Sequence, residues 1–260
     1  MPMLGLGTWE NEDHDRCVES VRTAIEMGYR HVDTAQAYDN EAAVGEGIAT
    51  ADVDREAVFL ATKIWIDRLD EAGIRESFER SLEKLGTDYV DLLYVHWPAR
   101  SYDVEETMGT FADLYDDGAI RHVGISNFEP EQVDAAIDAC DAPIFANQVE
   151  IHPLLPQYDL REHCADVGVE LVAYSPLARG RVFDVPELNE IATEHDVSEA
   201  QVSLAWLREK GITAIPKATS EAHIRDNWDS LDVRLDGEDI ERIDEIDRRD
   251  RRVDPSFAPW

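Results

Sequence analysis

Two hydrophobic patterns alternate along the chain. Residues 58–63 (VFLATK) form a short apolar run without polar alternation, which is typical of a parallel strand buried on both faces. Residues 13–27 instead place apolar side chains at helical spacing, and Gly28 follows at the expected helix end. The apolar positions of this helix are Cys17, Val18, Val21, Ala24 and Ile25. The pattern predicts buried parallel strands separated by amphipathic helices.

The alternation continues over the whole chain. Strands are predicted at 4–9, 30–33, 58–63, 89–96, 121–125, 143–149, 169–174 and 212–215. Helices are predicted at 13–27, 40–49, 70–84, 104–117, 130–139, 157–167, 198–209 and 221–228. Such alternation indicates an α/β fold, a single (β/α)8 TIM barrel. A doubly wound sheet is the alternative, disfavoured because the GLGTW run at 5–9 does not continue as G-x-G-x-x-G.

We expect one domain over residues 1–260, since no Pro-, Gly- or Ser-rich linker divides the chain. Residues 247–260 change character to arginine, proline and aromatic side chains. They are interpreted as an irregular C-terminal tail over the barrel, with a frayed terminus as the alternative. Leaving Phe257 and Trp260 in solvent would be costly, which favours the first interpretation.

The composition is strongly acidic, with 57 acidic and 24 basic residues and a formal charge of −33. The acids are spread through the helices, which indicates a halophilic type of acidic surface whose self-repulsion salt would screen. Nucleic acid is therefore a poor partner. No apolar run approaches the ~18 residues of a membrane span, and no signal peptide is evident at the start, so a cytoplasmic protein is expected. Three scattered cysteines predict packing positions rather than disulfides or zinc ligands.

Four polar residues lie at the ends of three successive predicted strands or just after them: Asp33, Tyr38, Lys63 and His96. Parallel strands of a barrel end on one face, so these groups are expected to converge at its mouth. A tyrosine is a poor acid near neutrality unless its anion is stabilised, which Lys63 could do while paired with Asp33. His96 could direct a carbonyl oxygen. Each residue taken singly also has a structural interpretation, as an ion pair, a packed ring or a hydrogen-bonded imidazole.

Eight segments, in order and over nearly the whole chain, resemble the aldo-keto reductases. They are GLGTW (5–9), DTAQAY (33–38), TKIW (62–65), DYVDLLYVHWP (88–98), GISNF (124–128), NQVEIHP (147–153), YSPL (174–177) and IPK (215–217). The resemblance implies reduction of small aldehydes or ketones with hydride from NADPH and a proton from Tyr38. The chain looks like the microbial branch of the family that includes the diketogluconate and methylglyoxal reductases.

The resemblance also implies site residues. The catalytic set is Asp33, Tyr38, Lys63 and His96, and the substrate walls are Trp9, Trp65 and Trp97. The nicotinamide would contact Ser126, Asn127, Gln148 and Tyr174. The remaining cofactor contacts would come from Gly7, Thr8, Asp33, Ser175, Pro176, Leu177, Lys217, Ser220, His223 and Asn227. Core packing is the alternative for Trp65 and Trp97.

Departures from the family pattern concern the cofactor phosphate and the barrel floor. Lys217 is kept, but Ala218 replaces a serine and His223 stands where an arginine is usual. A histidine lacks the arginine fork, so NADPH use with tolerance for NADH is expected. The usual N-terminal hairpin is missing before Leu4, which leaves the floor open or covered differently.

Two alternatives to a reductase remain at this stage. A non-catalytic nucleotide-binding regulatory protein would keep the cofactor site without turnover. A metal-dependent barrel hydrolase or isomerase would need a site such as His96, Glu150 and His152, which is disfavoured because Lys63 would lie beside the cation. No metal is therefore expected, and the protein is expected to be a monomer.

Overall fold

Eight parallel strands pair in chain order around a barrel in the computed structural model, which describes all 260 residues. The strands are β1 (Leu6–Gly7), β2 (His31–Asp33), β3 (Phe59–Ile64), β4 (Val90–Val95), β5 (Ile120–Ser126), β6 (Ile144–Glu150), β7 (Glu170–Tyr174) and β8 (Thr213–Ala214). Parallel bridges from Leu4 to Ala214 and from Gly7 to Lys217 join the last strand to the first. The predicted (β/α)8 barrel is confirmed. The opening run is shorter as a strand than predicted, because only two of its residues pair with β2.

Ten α-helices surround the strands. They are α1 (His14–Met27), α2 (Glu41–Thr50), α3 (Glu71–Leu85), α4 (Val104–Asp116), α5 (Pro130–Ala139), α6 (Tyr158–Val167), α7 (Pro186–His195), α8 (Glu199–Glu209), α9 (Glu221–Asp229) and α10 (Gly237–Asp244). Helices α7 and α10 lie outside the predicted set. The α10 helix spans two turns and buries only Asp239 and Ile243, so its apolar periodicity is too short to stand out. None of the helices is both long enough and apolar enough to cross a bilayer.

The loop after β2 is held in place by one asparagine. The Asn40 side-chain amide donates to the carbonyl oxygens of Thr8 (2.8 Å) and Asn11 (3.2 Å). Its oxygen accepts from the Thr34 hydroxyl at 2.8 Å. Because Tyr38 lies in the 3₁₀ turn just before Asn40, this network fixes the loop that carries the phenol against the mouth of the barrel.

Two apolar cores hold the barrel. The larger one, with 58 buried residues, lies between the strands and the helices. The smaller one fills the barrel interior and contains Ala61, Leu92, Tyr94, Ala146, Val172 and Ile215. Gly124 makes room for the interior ring of Tyr94, since a Cβ at Gly124 would lie 2.5 Å from the Tyr94 Cδ1.

The barrel floor is covered by side chains from the strands themselves. His122 and Phe145 stack with ring centroids 4.1 Å apart, and His31 meets Phe59 edge-on at 5.2 Å. These four rings sit near the N-terminal ends of β2, β3, β5 and β6. An aromatic and imidazole layer therefore lies at this end of the barrel.

The three cysteines are free, and Cys17 and Cys164 are buried in helices as expected for packing residues. After α10 the chain has no further helix or strand. We call residues 247–260 the C-terminal segment. It crosses the mouth of the barrel, where Phe257 meets Trp65 and Trp97 edge-on at centroid distances of 6.1 and 5.4 Å.

Candidate active site

The side chains of Asp33, Lys63, Tyr38 and His96 lie together at the mouth of the barrel. Asp33 ends β2, Lys63 lies in β3, and His96 follows β4 directly. The Lys63 Nζ forms an ion pair with the Asp33 carboxylate and donates to the Tyr38 hydroxyl at 3.4 Å. Parallel register explains the meeting, since strand ends far apart in sequence share one face of the barrel.

The Asp33–Lys63 ion pair is buried, with side chains 2% and 0% exposed. Burial raises the pKa of Asp33 and lowers the pKa of Lys63, and the attraction between the two charges opposes both shifts. Further hydrogen bonds complete the pair: Lys63 donates to the Thr34 carbonyl at 2.8 Å, and the Gln148 Nε2 donates to Asp33 at 2.7 Å. A buried pair with such partners can keep its charges inside the barrel.

Tyr38 is protonated at rest. Burial, and then the Asp33 carboxylate, raise the pKa of Tyr38 well above its ordinary value. The ammonium of Lys63 lies 3.4 Å from the phenol oxygen and 5.0 Å from the ring centroid. A positive charge at that position favours the phenolate that forms when the proton leaves. The arrangement gives a protonated donor whose anion has a nearby counter-charge.

His96 is a neutral imidazole. Burial, and then the charge of Lys63, lower the pKa of His96 well below its ordinary value. The Asn127 side-chain amide donates to the His96 carbonyl oxygen at 3.0 Å, and the Trp65 ring meets the imidazole edge-on at 5.0 Å. A neutral ring held in this way can donate one hydrogen bond toward the cavity without adding charge.

A network of hydrogen-bonding side chains lies beside this quartet. Tyr174 donates to the Asn127 oxygen at 2.8 Å, and the Asn127 amide donates to the Ser126 hydroxyl at 3.0 Å. Ser126 in turn donates to the main-chain oxygen of Gln148 at 2.8 Å. The left-handed backbone of Asn127 (φ 64°) suits asparagine, which adopts it more readily than most residues. Amide and hydroxyl groups on this network match the donors and acceptors of a nicotinamide carboxamide.

One cavity of about 950 Å³ joins most of the predicted site residues. Its lining contains Gly7, Thr8, Trp9, Asp33, Tyr38, Trp65, His96, Trp97, Ser126, Asn127, Gln148, Tyr174, Ser175, Pro176, Leu177 and Lys217. Lys63 lies behind this wall, in contact with Asp33 and Tyr38. The volume falls within the usual range of small-molecule sites.

Three predicted cofactor residues lie outside the cavity, at α9. Ser220 caps this helix and accepts from the His223 main-chain N–H at 3.3 Å. The His223 side chain is exposed, whereas Asn227 is buried in the same helix. The cavity lining thus contains Lys217 but none of these three residues.

Sequence reasoning missed two arginines at the cavity. Arg179 lies over the Trp9 ring at 4.3 Å, and Arg252 enters the lining from the C-terminal segment. Arg179 belongs to a tight loop after β7 in which Ser175 (φ 47°) and Arg179 (φ 51°) both have left-handed backbone. The arginine-rich end of the chain was the available sequence signal for Arg252, but nothing local placed it at the mouth.

The residues present fit a nicotinamide dinucleotide. Positive side chains of Arg179 and Lys217 line the cavity of a protein whose formal charge is −33. The amides of Asn127 and Gln148 and the ring of Tyr174 lie beside His96 and Asp33. One cavity therefore offers cations that could bind the phosphates of a pyridine dinucleotide and amides that could bind its carboxamide.

Comparison with known proteins gives the same fold and the same family. Residues 3–248 match the model of the Aldo/keto reductase family. The chain is 40% identical over 256 residues to a glyoxal reductase of Bacillus subtilis, covering 98% of this chain and 92% of the relative. A structure described as a putative 2,5-diketo-D-gluconic acid reductase B superposes with a TM-score of 0.96 at 37% identity, covering 99% and 92% of the two chains.

A structure of a Bombyx mori aldo-keto reductase in complex with NADP superposes with a TM-score of 0.91 at 33% identity, covering 98% of this chain and 92% of that one. These matches extend over the strands, the mouth loops and the quartet described above. This chain belongs to the aldo/keto reductase family.

Proposed function

We propose that the protein reduces small aldehydes or ketones with NADPH and that Tyr38 delivers the proton to the carbonyl oxygen. The observation that carries this assignment is the placement of Lys63, which contacts both the Asp33 carboxylate and the Tyr38 hydroxyl inside a buried site. Membership of an oxidoreductase family supports the reaction class. The Bombyx mori relative with NADP supports the choice of cofactor.

A nicotinamide dinucleotide held in the cavity would supply the hydride for the carbonyl carbon. The carbonyl oxygen would lie between the Tyr38 hydroxyl and the neutral ring of His96, whose rings meet edge-on with centroids 5.8 Å apart. As the C–O double bond becomes single, the Tyr38 O–H bond breaks and its proton forms the alcohol. Lys63 stabilises the resulting phenolate, which solvent later reprotonates. Asp33 and Gln148 keep the ammonium charged and in place.

A Tyr38→Phe variant tests this assignment. Loss of the proton donor should lower kcat by about 10²- to 10⁴-fold, the usual contribution of a general acid. NADPH affinity, measured by fluorescence titration, should stay near that of the native chain. Tyr102→Phe is the matched control, since its hydroxyl is also buried but the residue lies just before α4, outside the cavity lining. Full turnover in the Tyr38→Phe variant would refute the proposal.

The cofactor preference is proposed to be NADPH with tolerance for NADH. Lys217 lines the cavity, while the exposed side chain of His223 lies on the first turn of α9. A His223→Arg variant supplies a permanent, forked cation and should raise the ratio of kcat/KM for NADPH over NADH by roughly tenfold. A native preference for NADPH of a thousandfold or more would contradict the tolerance.

The substrate is proposed to bind against the aromatic walls formed by Trp9, Trp65 and Trp97, all of which line the cavity. Aromatic walls exclude water around the transferring hydride. The relatives named above include a glyoxal reductase, which supports small carbonyl compounds as substrates. The test is a panel of aldehydes and ketones, each measured with both cofactors at high salt.

Salt adaptation and a cytoplasmic, monomeric state are further parts of this proposal. Four of the 57 acidic residues are buried, namely Asp33, Glu41, Glu150 and Asp239. The other acids therefore contribute to a strongly negative exterior. Activity that falls with rising KCl concentration would contradict salt adaptation, and light scattering of the purified protein would measure its oligomeric state.

A further inference from the structure

The outer part of the C-terminal segment, residues 251–260, is hydrogen-bonded to the barrel through one side chain. Closer to α10, the Asp250 N–H donates to the Leu154 carbonyl oxygen at 3.0 Å, and Arg248 pairs with Glu187. Residues 251–260 make two hydrogen bonds to the part of the chain before the segment, and both end on Glu150. The Arg252 N–H donates to Glu150 Oε1 at 2.7 Å, and the Val253 N–H donates to Glu150 Oε2 at 2.8 Å. The other hydrogen bonds of residues 251–260 stay within the segment.

Glu150 is well suited to this role. It ends β6, on the mouth side of the barrel, and its side chain is fully buried. The His152 Nε2 lies 2.8 Å from the same carboxylate and fixes its orientation. A carboxylate that accepts two main-chain N–H groups forms stronger hydrogen bonds than a neutral acceptor would. The contact therefore joins a rigid strand end to an irregular segment 102 residues later.

The anchored segment builds one wall of the cavity. Val253, Pro255 and Phe257 enter the lining, and Phe257 packs edge-on against both Trp65 and Trp97. Trp260 lies 5.4 Å from Trp97 at the outer edge. Without the anchor, these contacts would have to hold an extended chain with no helix or strand of its own. Glu150 itself does not line the cavity.

We propose that Glu150 is a positioning residue that latches the C-terminal segment over the cavity and so sets the preference for carbonyl substrates with a large apolar or aromatic substituent. The preference rests on the proposed reductase function, whereas the latch itself does not. A substrate with such a substituent contacts Phe257 and the tryptophans, while a small dicarbonyl such as methylglyoxal has no group that reaches this wall.

A Glu150→Gln variant tests the latch. One amide oxygen can replace one carboxylate oxygen, but the amide NH₂ group then faces a main-chain N–H, so donor meets donor. Trypsin cleavage within residues 248–252 should become roughly tenfold faster or more, the factor expected for losing a hydrogen bond to a charged group. For benzaldehyde, kcat/KM should fall by a similar factor, mainly through KM, while for methylglyoxal it should stay within about twofold.

Glu187→Gln is the matched control. Glu187 also contacts the C-terminal segment, through Arg248 at 2.5 Å, but this ion pair is exposed. The control should change trypsin cleavage and kcat/KM by less than about twofold, as exposed pairs usually do. A Phe257→Ala variant should reproduce the loss with benzaldehyde while leaving trypsin cleavage slow. The Phe257→Ala variant therefore tests whether this wall sets the preference for benzaldehyde, even if the Glu150→Gln variant folds poorly.

A truncated chain ending at Asp250 separates the latch from other roles of Glu150. Adding Glu150→Gln to the truncated chain should have no further effect on kcat/KM, because the segment it holds is gone. The proposal would be overturned if Glu150→Gln lowered kcat/KM further in the truncated chain. It would also be overturned if the full-length Glu150→Gln variant kept native trypsin resistance and native benzaldehyde kinetics. If the native chain reduced no carbonyl compound, the proposed function would fail, and the trypsin comparison would still decide the latch.

Discussion

Removal of the buried ammonium by Lys63→Met is the sharpest test of the site. Methionine nearly keeps the length of the lysine side chain but loses its charge. In the structure that charge is buried and has three acceptors: the Asp33 carboxylate, the Thr34 carbonyl at 2.8 Å and the Tyr38 hydroxyl at 3.4 Å. The substitution therefore leaves a buried carboxylate without its counter-charge.

The expected loss in free energy of unfolding follows from this geometry. Removing one partner of a buried ion pair costs about 3–5 kcal/mol. The lower end applies here, because Asp33 keeps the Gln148 hydrogen bond and burial already raises its pKa, so it can take up a proton. At about 2–4 °C per kcal/mol for a chain near this size, a loss of ~3 kcal/mol lowers Tm by roughly 6–12 °C. Because the phenolate of Tyr38 loses its counter-charge, kcat should fall by about 10²-fold or more.

The assay is urea unfolding at fixed high salt, combined with single-turnover oxidation of bound NADPH. Lys84→Met is the control, since the Lys84–Asp39 pair spans 3.7 Å and its side chains are 44% and 95% exposed. It should cost less than about 0.5 kcal/mol. The double variant Lys63→Met with Asp33→Asn removes both charges and should regain stability without regaining turnover. A Lys63→Met variant as stable as the native chain would refute the electrostatic account of the site.

Three other predictions concern the barrel, its pH dependence and its charge. Burial lowers the pKa of His31 from 6.5 to about 3, so the unfolded chain takes up the proton at a higher pH than the folded chain does, and stability falls as the pH drops below 6.5. Between pH 7 and pH 5, His31 should lower the free energy of unfolding by about 2 kcal/mol. A His31→Phe variant should lose this pH dependence in urea titrations. Gly124→Ala should cost about 1–3 kcal/mol, because its Cβ would meet the Tyr94 ring. Gly109→Ala, in the middle of α4 with no neighbour within 4 Å, should instead gain up to about 1 kcal/mol in the same thermal melts. The charge of −33 predicts a higher Tm in 2 M than in 0.1 M KCl, and a Tm that does not rise with salt would contradict the self-repulsion argument.

The sequence alone determined the fold and the positions of the chemistry. Apolar runs without alternation marked the buried strands, and helical periodicity marked the segments between them, because both patterns record which faces of a local element are covered. Since parallel strands of a barrel end on one face, the convergence of Asp33, Lys63 and His96 could also be expected before any coordinates. Short elements escaped this reasoning, as α10 did, because eight residues give too few periodic positions.

Only the tertiary structure decided which groups touch. Gln148 reaches Asp33 across 115 residues, and Glu150 holds the main chain of Arg252 and Val253 from more than 100 residues away. Periodicity reports the face on which a side chain lies, whereas its partner depends on barrel closure, on strand register and on the path of an irregular segment. For that reason the sequence could indicate a tail over the barrel, while its position at the mouth and the carboxylate that holds it there became visible only in the folded chain.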